Sequence, residues 1–227
     1  TLALNSAGNL TNLRIEDGTV LAGGGTVALG NHANNRIYGV TAASKLINLD
    51  NTIEGAGQLG VNTMALDNRA VISANLPAEL VVRPAVGQAV LNSGVMQATN
   101  GATLRLYAGL FTNRLGVIRA SNSSTVEVDA ATLVGGTLAT TGSGVFRATA
   151  ASVLTGLTVH AAFEVVNGVA VDLAGVISNQ LVMTLQSTGG LTDFRVLGSA
   201  TLAGGGTLRL GNHANNRLYG VFGGETL

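Results

Sequence analysis

One segment of the chain occurs twice, and this repeat constrains the fold more than any other feature. Residues Leu21–Gly39 return 181 positions later as Leu202–Gly220, with three substitutions, and the match extends upstream from Leu10–Ile15 to Leu191–Val196. A repeat at a fixed distance is typical of architectures in which each unit packs on its neighbours. We therefore expect residues 1–227 to form a single stack, an excerpt of a tandem array with a 181-residue unit.

The composition favours many short strands joined by tight turns. The chain has 32 glycines and 2 prolines, 46% of its residues are hydrophobic and only 11% are charged, which is the opposite of a disordered segment. With 12 basic and 12 acidic residues and no basic run, nucleic acid is not an expected partner. No apolar run approaches the roughly 20 residues that span a bilayer, so this segment is not expected to insert into a membrane.

A shorter and looser period is visible inside the long unit. The segment Gly94–Leu106 aligns without gaps on Gly116–Val128, which lies 22 positions further along the chain. Related fragments begin at Ala70, Gly144 and Gly175. These starts predict successive rungs of roughly 20–25 residues, each with two or three short strands.

The alternation within these strands predicts which side chains face inwards. Thr103–Tyr107 and Thr125–Asp129 alternate with period two, as half-buried strands do. We expect four apolar side chains inside and four polar ones outside: Leu104, Leu106, Val126 and Val128 against Arg105, Tyr107, Glu127 and Asp129. At an offset of 22, Arg105 and Glu127 are also expected to form a pair between neighbouring rungs.

Parallel strands without helical crossovers require a coil, so the predicted fold is an all-β parallel β-helix, or β-solenoid. Asparagine and threonine at its corners are expected to stack in hydrogen-bonded ladders. The alternative is a β-sandwich of hairpins, which would need regular Asn-Gly turns. Only Asn100-Gly101 and Asn167-Gly168 are present.

Rungs such as Leu46–Gly60 and Gly94–Leu106 resemble those of large bacterial surface proteins of the filamentous-haemagglutinin and autotransporter-passenger type. This resemblance implies a right-handed parallel β-helix that is secreted or displayed at the surface of a Gram-negative-type bacterium. It implies an adhesin stalk or filament as the function. It rests on core and turn positions, so it carries over no functional residue.

No residue pattern predicts a catalytic, cofactor or metal site. The triple glycines Gly23–Gly25 and Gly204–Gly206 lack the lysine and helix of a phosphate loop and are expected to form corners with positive φ. The recurring Asn-His-Ala-Asn-Asn-Arg segment is expected to be a structural turn. The alternative is a repeated contact loop, which would consist of Asn31, His32, Asn34, Asn35, Arg36, Tyr38, Asn212, His213, Asn215, Asn216, Arg217 and Tyr219.

The leading prediction is thus a structural repeat of an extracellular fibre, without enzyme activity. The acidic residues are scattered, whereas glycoside hydrolysis needs two facing carboxylates. A lateral glycan-binding groove is the first alternative, and a polysaccharide-degrading β-helix enzyme is the second. The expected partners are other copies of the chain, stacked end to end through open terminal rungs, and host or surface glycans.

Overall fold

The chain winds into a coil of about ten turns, and each turn contributes one short strand to each of three faces. The computed structural model describes residues 1–227, which form 28 strands and no helix, and every strand pairing is parallel. The predicted β-solenoid is therefore confirmed, and the hairpin sandwich is wrong. No helix that is long and apolar enough to cross a membrane is present.

We number the faces in the order in which the chain visits them. Face 1 consists of β1 (Leu2–Leu4), β4 (Thr26–Leu29), β7 (Thr52–Gly55), β10 (Val71–Ala74), β13 (Val95–Ala98), β16 (Val117–Ser121), β19 (Thr137–Thr141), β22 (Thr158–His160) and the second parts of β24 (Ala170–Asn179) and β26 (Thr192–Ala203).

Face 2 is the ten-stranded sheet. It consists of β2 (Thr11–Ile15), β5 (Asn35–Gly39), β8 (Gly57–Gly60), β11 (Leu80–Val82), β14 (Thr103–Tyr107), β17 (Thr125–Asp129), β20 (Val145–Ala148), β23 (Ala162–Val166), β25 (Val182–Gln186) and β27 (Thr207–Leu210).

Face 3 completes each turn. It consists of β3 (Thr19–Leu21), β6 (Lys45–Asn48), β9 (Ala65–Asn68), β12 (Ala89–Asn92), β15 (Leu110–Thr112), β18 (Thr132–Val134), β21 (Ser152–Thr155), the first parts of β24 and β26, and β28 (Asn216–Gly220). Because β24 and β26 each continue around a corner, faces 1 and 3 join into one 18-stranded sheet.

The number of residues per turn varies, and because of this variation the face predicted for the fragment at Gly144 is wrong. Val95 pairs with Val117 at the predicted offset of 22, but the offset is 17 between Phe146 and Phe163 and 27 between Thr19 and Leu46. The fragment that begins at Gly144 was expected to repeat the strand after Gly116. It lies instead on face 2, in β20, next to β17. Alternation is the same on every face, so a short fragment does not reveal its face.

Alternating side chains fill a continuous core of 45 buried hydrophobic residues along the axis. Leu104 and Val126 stack in register inside it, as do Leu106 and Val128, all of them inaccessible to solvent as predicted. Each such side chain stabilises the fold by about 1.5–3 kcal/mol relative to exposure. The chain has no cysteine, so neighbouring turns are held by this shared core and not by disulfides.

The expected asparagine ladder is present inside the corner between faces 3 and 1. The amide nitrogen of Asn48 donates to Asn68 at 2.8 Å, that of Asn68 to Asn92 at 2.7 Å, and that of Asn92 to Asn113 at 2.6 Å. All four side chains are buried. The Oδ1 atom of Asn48 has no partner, because its neighbour in the turn below is Leu21.

Candidate functional site

The repeated turn (Gly30–Asn35 and Gly211–Asn216) is the strongest candidate for a recurring site, and its two copies have the same internal hydrogen bonds. The Asn35 amide nitrogen donates to the carbonyls of Gly30 at 2.8 Å and His32 at 3.1 Å, and its Oδ1 accepts the Ser6 N–H at 2.8 Å. The Asn216 side chain makes the equivalent three bonds, to Gly211 at 2.9 Å, His213 at 3.2 Å and Ser187 at 2.9 Å. Both copies are therefore held by a buried amide that links two adjacent turns of the solenoid.

The two histidines occupy matching positions, as predicted. Nδ1 of His32 accepts the Asn34 N–H at 3.0 Å, and Nδ1 of His213 accepts the Asn215 N–H at 3.1 Å. A backbone N–H can only donate, so each imidazole carries its hydrogen on Nε2. Both rings serve as turn-capping acceptors, which accounts for the recurring histidine without a metal.

The remaining polar groups of the first copy contact neighbouring turns. Asn34 donates to the Gly8 carbonyl at 2.5 Å, while Asn31 accepts the Ala78 N–H at 2.8 Å and the Ala33 carbonyl accepts the Gln58 side chain at 3.0 Å. These bonds satisfy most of the turn within the protein itself. The arrangement favours the structural turn over the contact loop.

The arginines and tyrosines that follow the turn stack on each other. The Arg36 guanidinium lies 5.2 Å from the centre of the Tyr38 ring, and Arg217 lies 5.0 Å from Tyr219. Tyr107 has two such neighbours, Arg83 and Arg105, both at 4.8 Å. Cation–π contacts of this kind contribute about 0.5–1 kcal/mol at exposed sites. Each of the three tyrosine rings therefore has at least one guanidinium over it, and Tyr107 has two.

Charged side chains outside the core pair between turns, and the strongest pairing differs from the predicted one. Arg105 Nε donates to Asp129 Oδ2 at 2.8 Å, whereas its distance to Glu127 Oε2 is 3.9 Å. The diagonal partner makes the closer contact, because a single Asp129 oxygen, Oδ2, accepts from both Nε and Nη2 of Arg105. Hydrogen bonds to Asp129 raise the pKa of Arg105. Burial raises the pKa of Glu127, and the nearby Glu79 carboxylate adds to the rise.

Arginine–carboxylate pairs between directly opposed residues continue towards the C-terminal end of the rod. Arg147 bonds Glu164 at 2.9 Å, Arg195 bonds Asp172 at 2.5 Å, and Arg217 bonds Asp193 at 2.8 Å. Hydrogen bonds to the carboxylates raise the pKa of Arg195 and of Arg217. Most acidic groups of the upper turns are thus engaged in linking one turn to the next. No group of three or more His, Asp or Glu side chains is placed to hold a metal ion.

The triple-glycine corner binds a carboxylate, which the sequence did not predict. Gly23 and Gly24 have φ values of 100° and 66°, as expected for the corner, and their N–H groups both donate to the Asp50 carboxylate at 3.1 Å. Gly25 N–H donates to Asn51 Oδ1 at 2.6 Å. Consecutive N–H groups in such a corner form an anion-binding nest, and here the carboxylate of Asp50 from the next turn occupies it. The only signal in the sequence was an Asp-Asn pair about one turn later.

The depressions in the surface of the protein lie on face 3 and at the two corners that border it. Four open depressions follow one another along it, the largest of about 590 Å³ beside Arg114 and Leu115 and the second of about 500 Å³ beside Val86 and Leu110. Leu115 and Val86 project at the two edges of the face, 94% and 86% exposed. The two depressions beside them are lined by apolar residues, glycine and threonine together with Arg114 and Gln88, and neither lining contains a carboxylate.

Two other features that the sequence singled out lie outside any cluster. His160 is exposed on face 1 and its Nδ1 lies 3.2 Å from Gln180 Oε1. Glu16 and Asp17 lie in the turn between β2 and β3, as predicted. No family model, curated protein or solved structure matches the chain.

Proposed function

We propose that this chain is a structural segment of an extracellular bacterial fibre, in which the solenoid acts as a stiff spacer. The observation that carries the proposal is that the polar side chains bind mainly to neighbouring turns. The buried asparagines, the repeated turns and the arginine–carboxylate pairs all connect one turn to the next. A rod whose turns share a core and continuous ladders resists bending and stretching. Such a rod suits the display of an adhesive tip or the body of a filament.

A cell-surface experiment tests this proposal. Antibodies against the purified chain should label intact cells of the source organism, with gold particles on thin fibres outside the outer membrane. Permeabilised cells serve as the comparison, and antibody adsorbed with the chain serves as the control. Labelling that requires permeabilisation would contradict the proposal.

End-to-end association is part of the same proposal. In a polypeptide of residues 1–227, β27 pairs with β25 on one side only, and its other strand edge is exposed together with Leu210. An unpaired strand edge is a template for another strand. Sedimentation velocity should therefore show species that lengthen with concentration while keeping the width of one rod. A single species of constant mass over a hundredfold range of concentration would exclude this association.

Lateral glycan binding is a second candidate, favoured by the depressions that follow one another along face 3. Leu91 lines two of them. If an oligosaccharide binds there, Leu91→Arg should abolish the signal on a glycan microarray. Val176→Arg, at an exposed position on face 1, is the matched control and should leave binding unchanged. Equal signals from both variants would exclude face 3.

A further inference from the structure

The 181-residue unit does not contain a whole number of turns. Leu2 of β1 pairs with Val27, and 181 positions later Met183 of β25 pairs with Leu208 in the same register. β1 lies on face 1, but β25 lies on face 2. Because β24 supplies one strand to each of two faces, the chain takes 25 strand steps from β1 to β25. At three strands per turn this is eight turns and one strand.

Every other pair of equivalent strands shows the same displacement. β2 on face 2 corresponds to the first part of β26 on face 3, and β3 on face 3 corresponds to its second part on face 1. β4 and β5 lie on faces 1 and 2, while β27 and β28 lie on faces 2 and 3. Each step is one face forward in the direction in which the chain winds.

The outward-facing side chains of equivalent strands are displaced by one face together with the strands. The outward neighbours Arg14 and Tyr38 lie on face 2, and their equivalents Arg195 and Tyr219 lie on face 3. The two repeated turns differ in the same way: the first lies at the corner between faces 1 and 2, and the second at the corner between faces 2 and 3.

We propose that the 181-residue unit is a screw element, which presents each lateral surface on the next face of the rod at every repetition. With turns about 4.8 Å apart, one unit advances roughly 40 Å along the axis and a third of a turn around it. Three consecutive units, of 25 strand steps each, restore the starting face after 25 turns. A partner that recognises one surface per unit would then be bound around the rod on all three sides. The displacement depends on the strand count, and its repetition along the rod depends on the tandem array predicted from the sequence. Neither depends on the proposed location of the protein.

Distances between paired spin labels test the displacement directly in this chain, which has no native cysteine. Ala33 and Ala214 are exposed equivalents in the two repeated turns, and Ala203 lies in the same corner as Ala33, near the top of the rod. We expect the Ala33→Cys/Ala214→Cys pair to be farther apart than Ala33→Cys/Ala203→Cys by roughly 5 Å, since the width of one face, about five residues of extended strand or ~17 Å, is added at right angles to an axial separation of roughly 40 Å. The opposite order would place the two turns above one another and overturn the proposal.

A second set of labels guards against a local distortion at the turn. Leu10 and Leu191 are equivalent and similarly exposed, and Leu181 lies in the same corner as Leu10. The distance from Leu10→Cys to Leu191→Cys should exceed that to Leu181→Cys. Circular dichroism and thermal melting of each unlabelled variant, matched to the parent, establish that the distances belong to the folded solenoid. Equal distances in both sets would also refute the displacement.

Discussion

The two copies of the repeated segment have nearly the same sequence and the same internal hydrogen bonds, yet their strands are buried to different extents. Leu29 is 1% exposed and its equivalent Leu210 is 48% exposed. β4 pairs with a strand on each side, β1 and β7, whereas β27 pairs with β25 alone. The conformation of the turn is therefore encoded locally, and burial is supplied by the neighbouring turns.

The buried asparagine of each turn belongs to the local contribution. Asn35 is inaccessible and Asn216 is 6% exposed, although the strands that they begin differ strongly in burial. Their partners lie in the same turn and in the turn below, and both copies have a turn below. Variants at equivalent positions can separate the local contribution from the stacking contribution.

The largest difference is expected for a charge in the core. Ile37 is inaccessible, and its equivalent Leu218 is 38% exposed. Ile37→Asp should lower the free energy of unfolding by several kcal/mol, on the order of 5, because a carboxylate would be buried without a partner. Leu218→Asp should lower it by no more than about 1 kcal/mol. Urea denaturation followed by circular dichroism measures both, and equal losses would show that the two copies are packed alike.

A smaller difference is expected for a cavity. Leu29→Ala should cost about 2–4 kcal/mol, since the turns on either side prevent the site from closing. Leu210→Ala should cost less than about 1 kcal/mol, because much of that side chain already contacts water. Thermal melting of the two variants gives the comparison. A costly Leu210→Ala would indicate that another copy of the chain covers β27 in solution.

The turn asparagines should behave alike. Asn35→Ala and Asn216→Ala each remove the same three hydrogen bonds, and each should cost about 1–3 kcal/mol. Asn→Asp at either position keeps the acceptor and loses the donors, so it should destabilise to a similar degree. A marked difference between Asn35→Ala and Asn216→Ala in urea denaturation would contradict the local origin of the turn.

The smallest effect concerns a charged pair that is present in only one of the two copies. Arg36 Nε donates to the neutral amide of Asn12, whereas Arg217 makes two bonds to the Asp193 carboxylate. Asp193→Asn should lower the melting temperature slightly at low ionic strength, and the difference should become smaller in 1 M salt, although the burial of Asp193 limits the screening. Asn12→Asp is the reciprocal variant and should raise it slightly under the same conditions. A shift of the same size at low and high salt would mean that packing, and not charge, distinguishes the two pairs.

Much of the fold could be predicted because the relevant signals are local. Alternation in Thr103–Tyr107 identified inward and outward residues, and the 22-residue offset placed Thr125–Asp129 directly above them. The repeated asparagines and glycines marked turns whose conformation depends on a few adjacent residues.

The remainder could not be predicted, because the number of residues in each turn is not evident from the sequence. Because the offset between paired strands varies from 17 to 27, the face of an isolated fragment such as Val145–Ala148 is ambiguous. For the same reason, the sequence did not indicate that Gly23 and Gly24 bind the Asp50 carboxylate. It also did not indicate how many strands one 181-residue unit contains. The length of a repeat in residues gives its number of turns only when the position of every corner is known.

The asparagine ladder also gives the rod an electrical direction. In each step from Asn48 to Asn113 the amide nitrogen points up the axis and the oxygen points down, so four amide dipoles of about 3.5 D each, if like peptide groups, add head to tail inside a medium of low polarisability. The lone Oδ1 of Asn48 is the negative pole of this array. Reversing any single amide would set two oxygens or two nitrogens against each other, so the orientation is common to the whole ladder. A rod built this way has distinguishable ends even where its outline looks the same from both.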